Sequence, residues 1–353
     1  LSFAGNKCER IFHSKSKSSV QGYNQVDEKY KYIFRKTEER ISSGPKIGIP
    51  RVLNMFENYQ FWRTLFLSCG LEPVLSDEST TQLFKQGIFS IMSDNICFPA
   101  KLTNGHIMNL VEKKVDRIFY PLVVMESKDH QRDTNCFNCP VVSGYPDVIR
   151  SAINPEAKYG IHFDTPVVSF KDEKAVYDSC YAYLSSLGVK RQVIKRAVRK
   201  ALEEKQRVKS HLIETEKAIL DNAIATGRML FVMTGRPYHI DPLINQRVAQ
   251  IVTDLGADVI SDDVFREDKL ECLEMNYISQ WTYPNRVVHA AHGVARLPYN
   301  VQLIQINSFG CGPDSFLMDE ASNVLNAAGK NHTVIRVDEI SSPGSVRLRL
   351  RSL

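Results

Sequence analysis

No stretch of this chain reaches the roughly 18 consecutive apolar residues that a membrane helix needs. The opening residues L-S-F-A-G-N-K-C-E-R lack the apolar core of a signal peptide. Eight cysteines, scattered over 353 residues, are too few for a disulfide scaffold. With no export signal, the expected compartment is the reducing cytoplasm, where thiols stay free or bind metal. There is no Walker A sequence, no G-x-G-x-x-G and no H-E-x-x-H. Nor is there the phosphate-loop pattern of an actin-like ATPase, so no nucleotide hydrolysis is expected of this chain. The net charge of +5 is mild. Its excess lies in Lys190 to Lys217 and in Arg347, Arg349 and Arg351, without interleaved aromatics. That pattern describes a solvated helix face better than a nucleic-acid surface.

What remains is ordinary globular composition, 43% hydrophobic and 24% charged. The length suggests two domains, or three. The start at Leu1 and the ending R-L-R-L-R-S-L fit a piece of a longer polypeptide. Residues 1–43 are polar and Lys/Ser-rich and read as an extended arm. Beyond them, strand-like and helix-like patterns alternate. Strands are expected at 46–53, 72–76, 88–92 and 115–124, and helices at 56–69, 81–87 and 101–114. A helix over 146–153 and a strand over 166–170 follow, then helices over 172–187 and 190–223. The second of these, highly charged, would run about 50 Å at 1.5 Å per residue. A second alternation begins at Arg228, with strands at 229–233, 257–261, 301–307 and 333–337. Helices are expected there at 243–255, 285–295 and 315–328. This order predicts two doubly wound parallel α/β domains, Rossmann-like or flavodoxin-like, with a cleft between them. Their expected spans are 44–170 and 226–353, joined by a helical connector over 171–225. The halves share a plan, with no sequence repeat to prove duplication.

Four cysteines occupy Gly/Pro-rich loops rather than element interiors: Cys97 in N-I-C-F-P-A-K, Cys136 and Cys139 in N-C-F-N-C-P, and Cys311 in S-F-G-C-G-P-D. Each loop follows an expected strand. In open parallel sheets the loops at the carboxyl ends of strands form the binding crevice. Thiolates are soft ligands suited to iron–sulfur clusters and zinc. Zinc sites usually show a second close pair, absent here; a [4Fe–4S] cluster takes ligands scattered along a chain. The competing reading is that these thiols are small buried hydrophobes. Cys69, Cys180 and Cys272, inside helical patterns, fit core packing. Cys8 reads either as a further ligand or as an exposed thiol. Disulfide exchange at Cys136/Cys139 ranks lower, since Pro140 and a V-V run follow the pair.

A second motif, G-R-P-Y-H-I-D-P-L-I-N at 235–245, sits between an expected strand and a helix. Arg236 and a helix start there suit an anionic group, and His239 suits proton handling. The plainer reading is a turn in which Asp241 caps a helix starting at Pro242. Lys101, Asn104 and His106 follow Cys97 on its helix and either line the cleft or face water.

Taken in order, K-I-G-I-P-R-V-L-N-M-F-E-N-Y, N-I-C-F-P-A-K-L-x-x-G-H-I, N-C-P-V-V-x-x-Y-P-D-V-I, G-R-P-Y-H-I-D-P-x-I-N and S-F-G-C-G-P-D span nearly the whole chain, flanked by G-N-K-C-E and R-L-R-S-L. Together they resemble the conserved region of acyl-CoA dehydratase activase-related proteins, the CoA-substrate-specific enzyme activase family. That region is similar in plan to subunits of 2-hydroxyacyl-CoA dehydratases, benzoyl-CoA reductases and double-cubane cluster proteins. The chain departs after Asn245, where the resemblance leads one to expect H-G and the sequence reads Q-R-V-A-Q. The actin-like ATPase modules that often precede the region are missing here.

The resemblance implies an iron–sulfur cluster, [4Fe–4S] or double-cubane, held by Cys97, Cys139 (or its neighbour Cys136) and Cys311, with Cys8 as a fourth candidate. It implies electron transfer in anaerobic metabolism: a low-potential module taking electrons from an actin-like-fold ATPase activase, in cis or trans. A 2-hydroxyacyl-CoA dehydratase-like subunit acting on an acyl-CoA is the alternative within enzymes. A non-catalytic module with a structural metal or cluster is the alternative outside them. His106, Arg236 and His239 are the candidates for substrate or proton handling. A homo-oligomer is compatible with all three readings; nucleic acid and membrane partners are not expected.

Overall fold

The computed structural model describes residues 21–36, 44–130, 133–267, 279–340 and 343–351. Two four-stranded sheets, every pairing parallel, form its frame. The first contains β1 (Lys46–Ile49), β2 (Glu72–Leu75), β3 (Arg117–Phe119) and β5 (His162–Asp164), in the order β2-β1-β3-β5. The second contains β7 (Leu230–Thr234), β8 (Asp258–Ile260), β9 (Val301–Ser308) and β10 (His332–Val337), in the order β10-β9-β7-β8. Read outward from β1 and from β7, the two orders are the same. Each chain path winds one way for one strand, then returns across the starting strand and continues on the other side. The shared plan of the halves is therefore a shared topology. A small parallel pair, β4 (Leu122–Met125) with β6 (Val167–Ser169), stands beside the first sheet.

Parallel strands need crossovers, and helices supply them. Met55–Ser68 follows β1 and buries Phe61, Trp62, Leu65 and Phe66. Trp62 and Phe66 meet Phe119 of β3 edge-on, at centroid distances of 4.7 and 4.9 Å. Thr81–Gly87 crosses Phe98–Glu112 backbone against backbone: a Cβ on Gly105 would lie 2.2 Å from the Leu83 carbonyl oxygen. Only glycine permits that approach. Arg191–Thr226 is one unbroken helix of 36 residues, roughly 54 Å long. It packs along Met55–Ser68 and reaches the turn at Asp263–Phe265. Its buried Glu216 accepts the backbone amides of Ser261 (3.1 Å) and Val264 (2.9 Å). The long helix thus packs against elements that flank both sheets. One apolar cluster, from Val26 to Leu350, includes residues of both sheets.

Several expectations are corrected. Within the stretch read as an extended arm, Gln25–Ile33 is a helix that buries Val26, Tyr30 and Ile33 against β8 and Met55–Ser68. Residues 1–20, with Cys8, lie outside the described residues, as does Cys272. The expected strand over 88–92 is a 3-10 turn, Ile88–Ser90, with Phe89 fully exposed. Both sides of β1 are already taken by β2 and β3, so the sheet offers it no place beside that strand. The expected strand over 115–124 divides at Tyr120–Pro121 into β3 and β4, which join different sheets. Proline supplies no N–H to continue a ladder. The strand expected over 46–53 likewise stops before Pro50. The helix expected over 146–153 begins earlier, at Pro140, and tolerates Pro146 inside it. The helix expected over 243–255 is confined to Val248–Asp254. Among the described residues no helix is long and apolar enough to cross a membrane.

The shortened start of that helix falls where the sequence replaces the expected H-G. Gln246 (φ 53°) and Arg247 (φ 61°) both adopt left-handed backbone. That conformation costs roughly 1–2 kcal/mol for an L residue and little for glycine. The Gln246 amide donates to the carbonyls of Asp338 (3.2 Å) and Ile340 (3.3 Å), which gives this departure a packing role. Arg247 is exposed. Arg247→Gly is therefore expected to raise stability by about 0.5–1 kcal/mol, after glycine's greater unfolded-state entropy is subtracted. Chemical denaturation measures it; a loss of stability would contradict the strain.

Candidate functional site

Crossover helices run opposite to the strands, so their first residues stand at the carboxyl edge of each sheet. Three cysteines begin such helices. Cys97 precedes Phe98–Glu112, Cys139 precedes Pro140–Ala152, and Cys311 precedes Gly312–Ala327. A proline within two residues of each suits the first helical turn, where the missing N–H costs nothing. The positive ends of these helices favour negative charge at the sulfurs.

Elements of both sheets place the three thiols within electrostatic reach of one another. Cys97 feels the charges of Cys139, Cys311 and Arg236, and Tyr238 feels all three thiols. Among the described residues, no group of three His, Cys, Asp or Glu side chains is arranged to hold a metal ion. The sulfurs are thus neighbours without being drawn around a single ion's position. Cys136 belongs elsewhere: it is buried and surrounded by Lys128, Glu126, Lys171 and Asp133. Cys180 is buried in the core and Cys69 packs half-buried against it.

Burial pushes the Cys97 thiol up to about 11, with the neighbouring thiols adding to the effect and the Ala100 amide and Arg236 opposing it. Burial raises Cys311 too, against the Arg236 charge. At neutral pH, Cys97 is therefore a thiol in the unliganded protein, and metal binding must release its proton. Alkylation of Cys97 by iodoacetamide, followed by peptide mass spectrometry, should be slow at pH 7. It should accelerate about tenfold per pH unit toward pH 11, since only the thiolate reacts. Rapid labelling at neutral pH would contradict this environment.

Arg236 is the buried cation of the site. Its guanidinium ion-pairs with Asp314 and lies 3.6 Å from the Cys311 sulfur. Among the described residues, its Nη1 and the Asp314 Oδ2 are buried and find no hydrogen-bond partner. Tyr238 stands two residues on. Tyr120 and Tyr145 also feel Cys97, and burial holds both phenols protonated. These two tyrosines and Asp314 went unselected in the sequence. Asp314 was visible only as the last letter of S-F-G-C-G-P-D and Tyr145 only as the Y of N-C-P-V-V-x-x-Y-P-D-V-I; Tyr120 gave no signal apart from its neighbours.

The other catalytic candidates occupy fixed, buried positions. His239 Nδ1 accepts the Arg236 amide (3.0 Å), so Nε2 bears the proton, facing Ser308 Oγ at 3.0 Å. Burial and Arg236 hold this imidazole neutral. A Cβ on Gly235 would lie 2.4 Å from His239 Nδ1, which fixes glycine there. Asp241 accepts the amides of Leu243 (2.8 Å) and Ile244 (3.3 Å). It caps a turn rather than a helix beginning at Pro242. Lys101, Asn104 and His106 do not face water; all three are buried. Lys101 ion-pairs with Glu339 at 3.1 Å, tying the Cys97 helix to the segment after β10.

A family model described as the CoA enzyme activase uncharacterised domain (DUF2229) matches residues 46–265. The chain belongs to this family. The match takes in Cys97, Cys139, Arg236 and His239 of the activase domain, while Cys311 lies beyond it. No curated protein matches. Among solved structures, the activase-domain chain is similar at 8% identity to one described as the crystal structure of ZnuA, with TM-score 0.27, covering 88% of this chain and 96% of that one. A putative sugar binding protein from Salmonella typhimurium LT2 gives 8% identity and TM-score 0.22, covering 91% and 88%. The C-terminal domain of glucosamine-fructose-6-phosphate aminotransferase from Francisella tularensis gives 9% identity and TM-score 0.21, covering 93% and 85%. Scores this low carry no argument about fold or function.

Proposed function

We propose that this activase-family chain is an iron–sulfur module, with Cys97, Cys139 and Cys311 holding the cluster. The observation that carries the reading is that three thiols, each on the residue before a helix and drawn from two sheets, lie within electrostatic reach of one another and of one buried arginine. Soft thiolate donors spread over a volume suit a polynuclear iron centre better than one zinc ion. When bound, such a centre supplies one-electron transfer at low potential.

The chain's own residues set the conditions. Arg236, with a free Nη1, offsets part of the negative charge of three thiolates. Tyr120 and Tyr238 remain neutral and keep their hydroxyl protons, while Tyr145 spends its own on Asn104 Oδ1 at 3.2 Å. The first turn of the Cys97 helix, Phe98 to Lys101, is buried, which limits water there and makes each charge felt more strongly. On this reading the partner is an ATP-driven activase that delivers electrons, and the final acceptor is an acyl-CoA dehydration or reduction system. The family description fits that setting.

Anaerobic purification with iron, sulfide and zinc analysis tests the reading. A brown protein with an electron paramagnetic signal after reduction is the expected result. A colourless protein carrying stoichiometric zinc would replace it with a structural staple.

A further inference from the structure

A chain of hydrogen bonds joins the helix that starts at Cys97 to the turn that carries Arg236 and Tyr238. Ser76 Oγ lies 2.8 Å from His106 Nδ1, and Ser79 Oγ lies 3.1 Å from His106 Nε2. Ser79 Oγ donates to Asp241 Oδ2 at 2.6 Å. Ser76 Oγ accepts the Arg51 amide at 2.8 Å. Ser76, His106 and Asp241 are buried, His106 and Asp241 completely.

The direction of every link follows from the last one. A carboxylate only accepts. Ser79 therefore spends its proton on Asp241 and must accept from His106 Nε2–H. His106 Nδ1 is then an acceptor, and Ser76 donates to it. All donors point toward Asp241. A protonated Asp241 reverses them: the acid donates to Ser79, Ser79 donates to Nε2, and Nδ1–H donates to Ser76. Both arrangements keep every bond; a mixture of the two breaks at least one.

We infer that Ser76, His106, Ser79 and Asp241 form a proton relay that delivers a proton from the Ser76 end to the Asp241 carboxylate by switching the His106 tautomer. The hops balance. A proton taken up at the Ser76 oxygen releases the original Ser76 proton to Nδ1. The Nε2 proton passes to Ser79, and the Ser79 proton passes to Asp241. One proton enters, the carboxylate becomes neutral, and the imidazole stays uncharged throughout. Asp77, the residue after Ser76, is exposed, and its carboxylate is held by Asn109 Nδ2 (2.9 Å) and Lys113 Nζ (2.6 Å).

The surrounding charges suit this function. Burial lifts Asp241 to about 6, against the Ser79 hydrogen bond, the Leu243 and Ile244 amides and the Arg51 charge. The Tyr30 phenol, which accepts from Arg51 at 2.9 Å, also feels the Asp241 charge. Burial and Arg51 drop His106 to about 3, against Asp77, so the imidazolium form is avoided. The relay stands on these contacts alone and does not require a cluster. Its terminus lies three residues from Tyr238, which places a proton acceptor on the same turn as the thiol site.

Histidine labelled with nitrogen-15 reports the tautomer directly, and His106→Gln assigns the signal among nine histidines. The Nε2–H tautomer is expected at pH 8 and the Nδ1–H tautomer near pH 5, with a midpoint close to that of Asp241. Ser79→Ala should uncouple the two and abolish the exchange. Asp241→Asn, which cannot titrate, should freeze one tautomer at every pH and serves if Ser79→Ala does not fold. A wild-type tautomer unchanged between pH 4.5 and 8.5, an imidazolium signal in that range, or an exchange that survives either substitution would overturn the relay.

Discussion

Cys97→Ser, Cys139→Ser and Cys311→Ser should each lower iron retention after anaerobic reconstitution by at least about tenfold, while Cys136→Ser and Cys69→Ser leave it near wild type. Even loss of an outer-shell partner typically costs 10–100-fold in metal affinity, and a lost thiolate should cost no less. The contrast between Cys139 and Cys136 gives the experiment its force. The two are three residues apart, yet only Cys139 begins a helix and acts on Tyr238 with the other two thiols. Cys136 instead feels Lys128, Glu126, Lys171 and Asp133. Equal losses from all five substitutions would point to a global effect of thiol removal. Full retention in the Cys311 variant would remove the second sheet from the site, and the proposed cluster with it.

Arg286→Met should destabilise the folded chain by about 3–5 kcal/mol, the usual consequence of stripping one partner from a buried ion pair. Arg286 grips Glu57 with two bonds of 3.0 Å and Asp129 with one of 2.6 Å. Arg266 adds bonds to Glu57 (2.8 Å), Asp129 (3.1 Å) and Asp263 (3.1 Å), and Lys209 reaches Asp129 at 3.2 Å. Glu57 lies on the helix after β1, whereas Arg286 lies on Thr282–Ala295, before β9. The network therefore couples the packing of one sheet to the other. Urea denaturation should show that Glu57→Gln combined with Arg286→Met costs less than the two singles summed, because the second change removes a charge the first left bare. Strict additivity would mean that the pair does not interact.

The same network sets an acid limit. Burial opposes ionisation of Glu57 and Asp129, but the arginines outweigh it and hold both carboxyls well below the ordinary carboxylate range. Groups depressed in the folded state stabilise it above their unfolded value, roughly 4, and that contribution is lost as pH falls below it. Unfolding midpoints should thus decline steeply below about pH 4, and less steeply in the double variant.

Elements with several turns or a clean apolar run were legible from local pattern. Met55–Ser68, Arg191–Thr226 and β9 fall within a few residues of their expected limits. Short or interrupted elements were not. β5 is three residues, H-F-D, and owes its place to pairing with β3, which no local signal encodes. Residues 88–92 have strand-like composition but no neighbouring strand to join. Gln25–Ile33 is polar enough to pass for an arm, yet Tyr30 and Ile33 find a core contributed by distant segments.

The cysteines divide along the same line. Their Gly/Pro surroundings were set by local sequence, because proline and glycine dictate turns through their own backbone limits; Cys139 and Cys311 follow strands as expected, whereas Cys97 follows a 3-10 turn. The placing of Cys139, rather than Cys136, within reach of Cys97, the guanidinium of Arg236 beside Cys311, and the line of bonds from Ser76 to Asp241 were decided by tertiary structure. Those contacts join residues separated by 27 to 162 positions. Their partners are selected by how two sheets and a long helix pack, and chain spacing carries no record of that.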